Sequence, residues 1–346
     1  MAKRYAVLLA ALVWLALVAT SVRAETAAEF YQGKTIRFIV GFSPGGGFDT
    51  YSRAIARHIG KHIPGHPSTV VENKRGAGSL IAANYMYLKA KPDGLTIGNW
   101  IGGLVLQQAM GGRAGIKFDA RKFEWVGVPV TDHPVCALMR ASGITSLDAW
   151  LAAKTPVKVG ATAPGSSTDD IPRIVRVALE LPLKLVEGYK GTAKIRLAAE
   201  GGEVAGGCWA WESVKVTWRR GIESGDVIPV LQINPQRHPE LQDVPNAIEL
   251  AKTDKARQLL TAGVHNTAAI TRFYSLPPGT PKDRVKILQD AFMATMQDPE
   301  FLAEARQAKL DIDPKSGPEV KQIVAGFFDM DAALLATLRE ILVPKQ

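Results

Sequence analysis

The 346-residue chain has only two cysteines, Cys136 and Cys208, and beyond residue 19 it has no apolar run long enough to span a bilayer. So few cysteines exclude a disulfide-framework fold. They leave two readings open, a single bridge or two small buried side chains, and their apolar strand settings favour the second. Neither lies near the end of the leading apolar segment, so the residue that a bacterial lipoprotein acylates is missing. The first glycine loop lacks the GK[ST] ending of a P-loop and the G-x-G-x-x-G spacing of a dinucleotide fold. No long basic run is present, which argues against nucleic acid as a partner. The six histidines form no H-E-x-x-H zinc pattern. His58, His62 and His66 recur every four residues, but Pro64 and Gly65 break the helix before the third. A serine hydrolase would require Ser166 or Ser167 with partners that the sequence does not reveal. The expectation is a protein with no catalytic residues, no metal and no cofactor.

What the chain does contain begins with a leader. Lys3 and Arg4 precede an apolar run from Tyr5 to Ala19, and Val22-Arg23-Ala24 supplies a small residue at a cleavage point. Residues 1–24 therefore read as a secretory signal peptide cut near Ala24, and the remainder as a soluble periplasmic protein. Removing Lys3, Arg4 and Arg23 lowers the net charge from +9 to +6, an excess that suits anionic ligands in general. The 322 residues from Glu25 onward are enough for two domains with their own cores.

The organising stretch is Ile36 to Asp49, IRFIVGFSPGGGFD. Ile36, Phe38, Ile39 and Val40 make a buried strand, which ends at Ser43, Pro44 and three glycines. A helix over Tyr51–Ile63 follows, with Tyr51, Ile55, Ile59 and Ile63 on one face and Asp49 or Thr50 as its cap. Strand, glycine turn and helix start present backbone N–H groups to an anion, and the expected anion is a carboxylate. The candidate ligand residues here are Ser43, Gly45, Gly46, Gly47 and Asp49. A second loop mirrors the first: Val157–Ala161 runs into Ala163-Pro164-Gly165-Ser166-Ser167-Thr168, and Asp169 or Asp170 caps a helix over Ile171–Leu179. It adds Gly165, Ser166, Ser167 and Thr168. Strand and helix alternate along most of the chain, the pattern of an α/β fold with parallel sheets. Trp100 lies just past a predicted strand end, where ligands collect in open α/β sheets. Trp209 and Trp211 share one strand face, which is either a packed core face, the commoner case, or a stacking surface for a ligand, and Trp209 is the candidate on the second reading. Lys190, in Gly188-Tyr189-Lys190-Gly191, is either a partner for a distal carboxylate or a solvated turn residue.

Several short stretches, in this order, make the chain resemble the Bug-type periplasmic solute-binding proteins of tripartite tricarboxylate transporters. They are Phe30-Tyr31-Gln32-Gly33-Lys34, Pro44-Gly45-Gly46 with Asp49, Val71-Glu72-Asn73-Lys74 with Gly76-Ala77-Gly78, and Lys91-Pro92-Asp93-Gly94. Tyr189-Lys190-Gly191, Pro239-Glu240-Leu241 with Asp243-Val244-Pro245, and Pro278-Gly279-Thr280-Pro281 complete the set. The resemblance covers nearly all of the mature sequence. It departs at Ala205, where the family usually has aspartate, and at Ser43 and Gly47, where the family's first turn has a different form. It implies an α/β two-lobed periplasmic binding protein of the second type, with the cleft between lobes joined by two crossing strands. On this reading residues 25–128 and 236–346 form the first lobe and 129–235 the second. The implied function is capture of a small carboxylate, a di- or tricarboxylate or an aromatic acid, by a monomer that delivers it to membrane transporter subunits. The alternative is a ligand-sensing component that presents its closed form to a membrane sensor kinase.

Overall fold

The structure, a computed structural model, describes residues 26–112 and 114–343; the signal peptide read in residues 1–24 lies outside them. Two sheets carry the fold. The first has six strands in the order β11-β4-β10-β3-β1-β2, and the second has five in the order β7-β6-β8-β5-β9. In the first sheet these are β1 (Thr35–Val40), β2 (Ser68–Asn73), β3 (Thr96–Asn99), β4 (Glu124–Val128), β10 (Tyr274–Leu276) and β11 (Lys315–Ser316). The second contains β5 (Pro134–Met139), β6 (Val157–Gly160), β7 (Leu183–Val186), β8 (Gly206–Ala210) and β9 (Val227–Gln232). Strands β1, β2 and β3 are parallel, as are β6, β7 and β8, while β5 runs antiparallel to both β8 and β9. The chain passes from the first sheet to the second through residues 129–133 and leaves β9 on its way back to β10.

Strand β1 shows why this core forms. Its side chains alternate, so Ile36 and Phe38 pack with Tyr51, Ile55 and Ile59 while Ile39 packs on the other face with Leu80, Ala83 and Met86. All four residues of the apolar stripe expected on the first helix, Tyr51, Ile55, Ile59 and Ile63, are buried. The helix itself spans Gly47–Ile59 and continues as a 3-10 turn to His62. It starts earlier than the sequence suggests because Gly46, rather than Asp49 or Thr50, occupies the cap position. His58 and His62 do not stand on a solvated face: their Nε2 atoms pair with Glu304 at 2.8 Å and Asp298 at 2.7 Å. Near the C-terminal end of the described residues stand two helices, Gly317–Phe328 and Ala332–Leu342, parted where Asp331 caps the second. The helices Asp254–Leu260 and Ala332–Leu342 pack against Ser167–Ala178, which follows β6 of the second sheet. No helix among the described residues is long and apolar enough to cross a membrane.

Cys136 and Cys208 sit opposite one another on β5 and β8 and form a disulfide, so the reading of two simply buried thiols is corrected. Strand register brings the two Cα atoms to 4.0 Å across a sequence separation of 72. Closing a loop of that length restricts the unfolded chain by about 4 kcal/mol in the chain-entropy account. Denatured protein should therefore take up no maleimide without reductant and two equivalents with it. Replacing both cysteines by alanine should lower the melting temperature, and one free thiol per cysteine before reduction would disprove the bridge.

Candidate functional site

The C-terminal ends of β1 and β6 face each other across the two sheets, and each runs through a Pro-Gly turn into a helix. The two turns have the same construction. Gly45 and Gly165 both take left-handed φ, +78° and +85°, which a side chain would strain. Each glycine donates its N–H to an aspartate at the start of the following helix, Gly45 to Asp49 Oδ2 at 3.0 Å and Gly165 to Asp170 Oδ1 at 2.8 Å. Each helix then places an arginine four residues after an aspartate, Arg53 on Asp49 and Arg173 on Asp169. The helices begin at Gly47 and Ser167. Since the first i to i−4 bonds are made by Thr50 and Asp170, the N–H groups of Gly47, Phe48, Ser167 and Thr168 precede the helical ladder. A third helix, Thr192–Glu200, starts beside them.

Of the residues singled out from sequence, Ser43, Gly46, Gly47, Ser166, Ser167 and Thr168 line one narrow cavity of about 30 Å³. Phe42, Phe48, Ile101, Thr162 and Thr192 also line it, and sequence reasoning did not select them. The available signal was position: Phe42 and Thr162 end strands, and Thr192 opens a helix directly after the Tyr189-Lys190-Gly191 turn. Most of the hydroxyls are already committed. Ser43 Oγ donates to the carbonyl of Lys190 at 2.9 Å, joining the two loops. Thr162 Oγ1 donates to Ser166 Oγ at 2.6 Å, Ser166 Oγ also contacts the Ala163 carbonyl, and Thr168 Oγ1 lies 3.0 Å from both hydroxyls. The hydroxyls of Ser167 and Thr192 have no such partner among the described residues. Gly41-Phe42-Ser43-Pro44-Gly45 has the spacing of a G-x-S-x-G elbow, which sequence reasoning passed over. The bond from Ser43 to Lys190 gives that serine a carbonyl partner and no general base.

The other five sequence choices lie outside that lining: Gly45 and Gly165, whose N–H groups go to Asp49 and Asp170, and Asp49, Trp100 and Trp209. Asp49 is turned into its own loop, accepting from Gly45, Arg53 and Asn73. Burial opposes its ionisation, but those bonds hold its carboxyl below the ordinary range. Trp100 is fully buried among Phe118, Phe123, Trp125 and Phe273, with its Nε1 donating to Ser275 at 3.0 Å. Its ring belongs to the core because β3 is an interior strand. Trp209 is likewise buried, stacked on Trp218 at 5.7 Å, and Trp211 begins a helix rather than extending the strand.

A buried ionic cluster closes the base of the site. Arg272 donates to Asp132 at 2.5 Å and to Ser213 Oγ at 3.2 Å, and stacks over Tyr51 at 4.7 Å. Glu212, next to Ser213, binds both the N–H and the Nδ1 of His133. Gly47 is placed against this cluster so closely that a Cβ would sit 1.8 Å from Ser213 Oγ.

Residues 52–335 match the profile of TctC, the tripartite tricarboxylate transporter family receptor. The chain belongs to that family. Its solved relatives share the two-lobed fold: the periplasmic binding protein BugD aligns with a TM-score of 0.72 at 21% identity, over 91% of this chain and all of that one. An R. palustris protein solved with adipate aligns at 0.70 and 20% identity, over 89% of this chain and 97% of that one. Among sequence relatives, the UPF0065 protein in the tcbD-tcbE intergenic region of Pseudomonas sp. (strain P51) is 26% identical over 88% of this chain and 86% of its own length. This TctC-family chain is thus a solute-binding receptor and not an enzyme.

Two outcomes follow from the site. Gly47→Ala should drive the helix Trp211–Thr217 away from the first loop, at a cost of about 1–3 kcal/mol for overpacking. Gly47→Ala combined with Ser213→Gly should recover most of the loss in thermal melts, and equal melting of Gly47→Ala and wild type would refute the contact. The second outcome concerns Asp169, whose carboxyl is pushed up to about 7 by burial and by its neighbour Glu187, against the pull of Arg173. The unfolded carboxyl titrates near about 4. The folded chain therefore holds a proton that the unfolded chain releases, so this contribution to stability is complete below about pH 4 and lost as pH rises through about 7. Between about pH 4.5 and about pH 7.5 the wild type should lose melting temperature relative to Asp169→Asn. Parallel curves would show an Asp169 that stays ionised.

Proposed function

We propose that this receptor captures a small carboxylate, a di- or tricarboxylate or an aromatic acid, between the loops Ser43–Gly47 and Gly165–Thr168, and delivers it to membrane transporter subunits. The observation that carries the reading is the convergence of two helix starts, at Gly47 and Ser167, on one cavity lined by hydroxyls. Helix N-termini offer oriented N–H donors and partial positive charge, which favour an anion. The acidic groups at the helix starts do not oppose it strongly, since Arg53 pairs with Asp49 and Arg173 pairs with Asp169. In this proposal residues 1–24 are removed near Ala24, and the mature receptor acts as a monomer in the periplasm. Residues 25–128 and 236–346 form one lobe and 129–235 the other, with residues 129–133 and the chain leaving β9 as crossovers. The cavity of about 30 Å³ is narrower than most ligand pockets, so the loops separate to admit a ligand and close over it.

Gly46→Asp tests the reading. Gly46 has φ of −96°, which any residue adopts, so the substitution introduces charge and bulk without left-handed strain. Each charge-assisted bond to a bound carboxylate contributes about 1.5–3 kcal/mol, so losing one or two weakens binding about ten-fold or more. A Cβ at Gly46 lies 3.0 Å from Thr192 Oγ1, so Gly46→Ala measures the steric part and Ser167→Ala the opposite loop. The measurement is the thermal shift produced by a carboxylate panel, since a ligand of the native state raises stability with concentration. A Gly46→Asp variant that keeps the full wild-type shift would remove the carboxylate from this loop.

A further inference from the structure

Beside the narrow cavity lies a larger compartment of about 170 Å³, and the two share Phe42 and Thr162 as walls. It is bounded by the ends of four parallel strands, β1 and β2 from the first sheet and β6 and β7 from the second, the crevice at which open α/β sheets hold ligands. From β2 come Gly76 to Ser79, and from β7 come Gly188, Tyr189 and Lys190. Lys190 is the one cationic residue in the lining of either cavity. Its side chain is exposed, and among the described residues no carboxylate stands within ion-pair distance of it. The acids on nearby segments are taken: Glu187 pairs with Arg173 at 2.6 Å, and Glu203 accepts from Tyr189 Oη at 2.6 Å.

The backbone of Lys190 is fixed by the opposite loop. Ser43 Oγ binds its carbonyl at 2.9 Å, and a Cβ on the adjacent Gly191 would lie 3.4 Å from Ser43 N. The place of Lys190 in the lining of the compartment is thus tied to the contact between the two loops. We propose that Lys190 reads a second anionic group on the ligand, so that the receptor selects short dicarboxylates over monocarboxylates of equal length. The assignment rests on the carboxylate reading above, which supplies the first anionic group at the helix starts. One carboxylate binds the N–H groups and hydroxyls of the narrow cavity, the carbon chain passes Phe42 and Thr162, and the second carboxylate meets Lys190 Nζ. Engaging both loops, such a ligand stabilises the closed arrangement more than a monoacid does, because binding shifts the equilibrium only by its differential contacts.

Calorimetric titration of the mature protein with three matched pairs tests this: butanoate and succinate, pentanoate and glutarate, hexanoate and adipate. Wild type should favour the diacid of at least one pair by about ten-fold or more. Lys190→Met should reduce that ratio to about two-fold or less, and Lys190→Arg should restore much of it. Melting curves without ligand establish that the variants are folded. Equal affinity for both members of every pair in wild type overturns the assignment without any variant, and a ratio that survives in Lys190→Met overturns it too. If monoacids bind and diacids gain nothing, the carboxylate reading stands and only the second group is lost. If no carboxylate of any kind binds, the carboxylate reading fails and this assignment falls with it.

Discussion

The buried pair of Arg272 and Asp132 is the interaction on which the arrangement of the site depends. Arg272 lies on the segment that enters β10, Asp132 on the link from β4 to β5, and both side chains are almost fully buried. Burying two charges is costly, and it is offset only when their geometry and the surrounding donors are well placed. Here the guanidinium also reaches Ser213 at the start of the helix after β8, and Tyr51 and Phe48 lie under it. Phe48 and Tyr51 belong to the helix whose first turn forms the glycine loop. One cation thus fixes both lobes and the loop relative to one another, and removing its partner would leave a charge buried without compensation. His133 on the same link and Glu212 on the helix after β8 continue the network, and burial opposes protonation of His133 while the Glu212 carboxylate raises its pKa.

Around that fixed base the contacts between the loops are of another kind. Ser43 to Lys190 is a single part-buried polar bond, and Arg196 to the carbonyl of Gly45 is an exposed one at a long 3.4 Å. A neutral or exposed hydrogen bond contributes little net stability, because protein–water bonds replace it when it opens. The mouth of the cleft can therefore part at small cost while the base holds. The apolar core follows the same division: Ile171, Ile174 and Val175 of the helix behind the second loop pack in one cluster with Leu259, Leu260 and Leu338. The helix that presents Ser167 at its start is therefore anchored along its length to segments that follow β9 in the chain.

Much of this was legible in the sequence because it follows from local rules. The strand through Ile36–Val40 and the buried stripe Tyr51, Ile55, Ile59 and Ile63 appear as read, and both loops form where glycine, proline and hydroxyl residues interrupt an apolar pattern. The misreadings share a cause, which is that local pattern does not say which face of an element meets which partner. Asp49 looks like a cap or a ligand group, yet the left-handed turn at Gly45 directs that N–H onto its carboxylate. Trp100 follows a strand end, but β3 lies between β1 and β10 and its neighbours are aromatic rings. Trp211 continues the alternation of β8, yet a helix begins there, capped by contacts from the link at His133. The disulfide was undecided because only strand order, a long-range property, puts Cys136 opposite Cys208.

The likeness of the two loops limits what each can recognise. In both, the glycine N–H that would seem best placed for a ligand is already satisfied by an aspartate of the same chain, and the first-loop aspartate is balanced by an arginine. Each loop therefore carries an internal carboxylate that preforms the turn, much as a bound anion would. What remains for a ligand are the next N–H groups along each helix and the hydroxyls of Ser167 and Thr192, donors that suit one carboxylate without distinguishing what is attached to it. Discrimination then has to come from groups outside the two turns. In the proposed capture mode Phe42, Phe48 and Ile101, which line the narrow cavity, would supply shape, and Lys190 on the loop that ends β7 would supply charge. Because that loop is held by Ser43 of the opposite loop, the proposed reading of the ligand's second group and the proposed closure would be a single step.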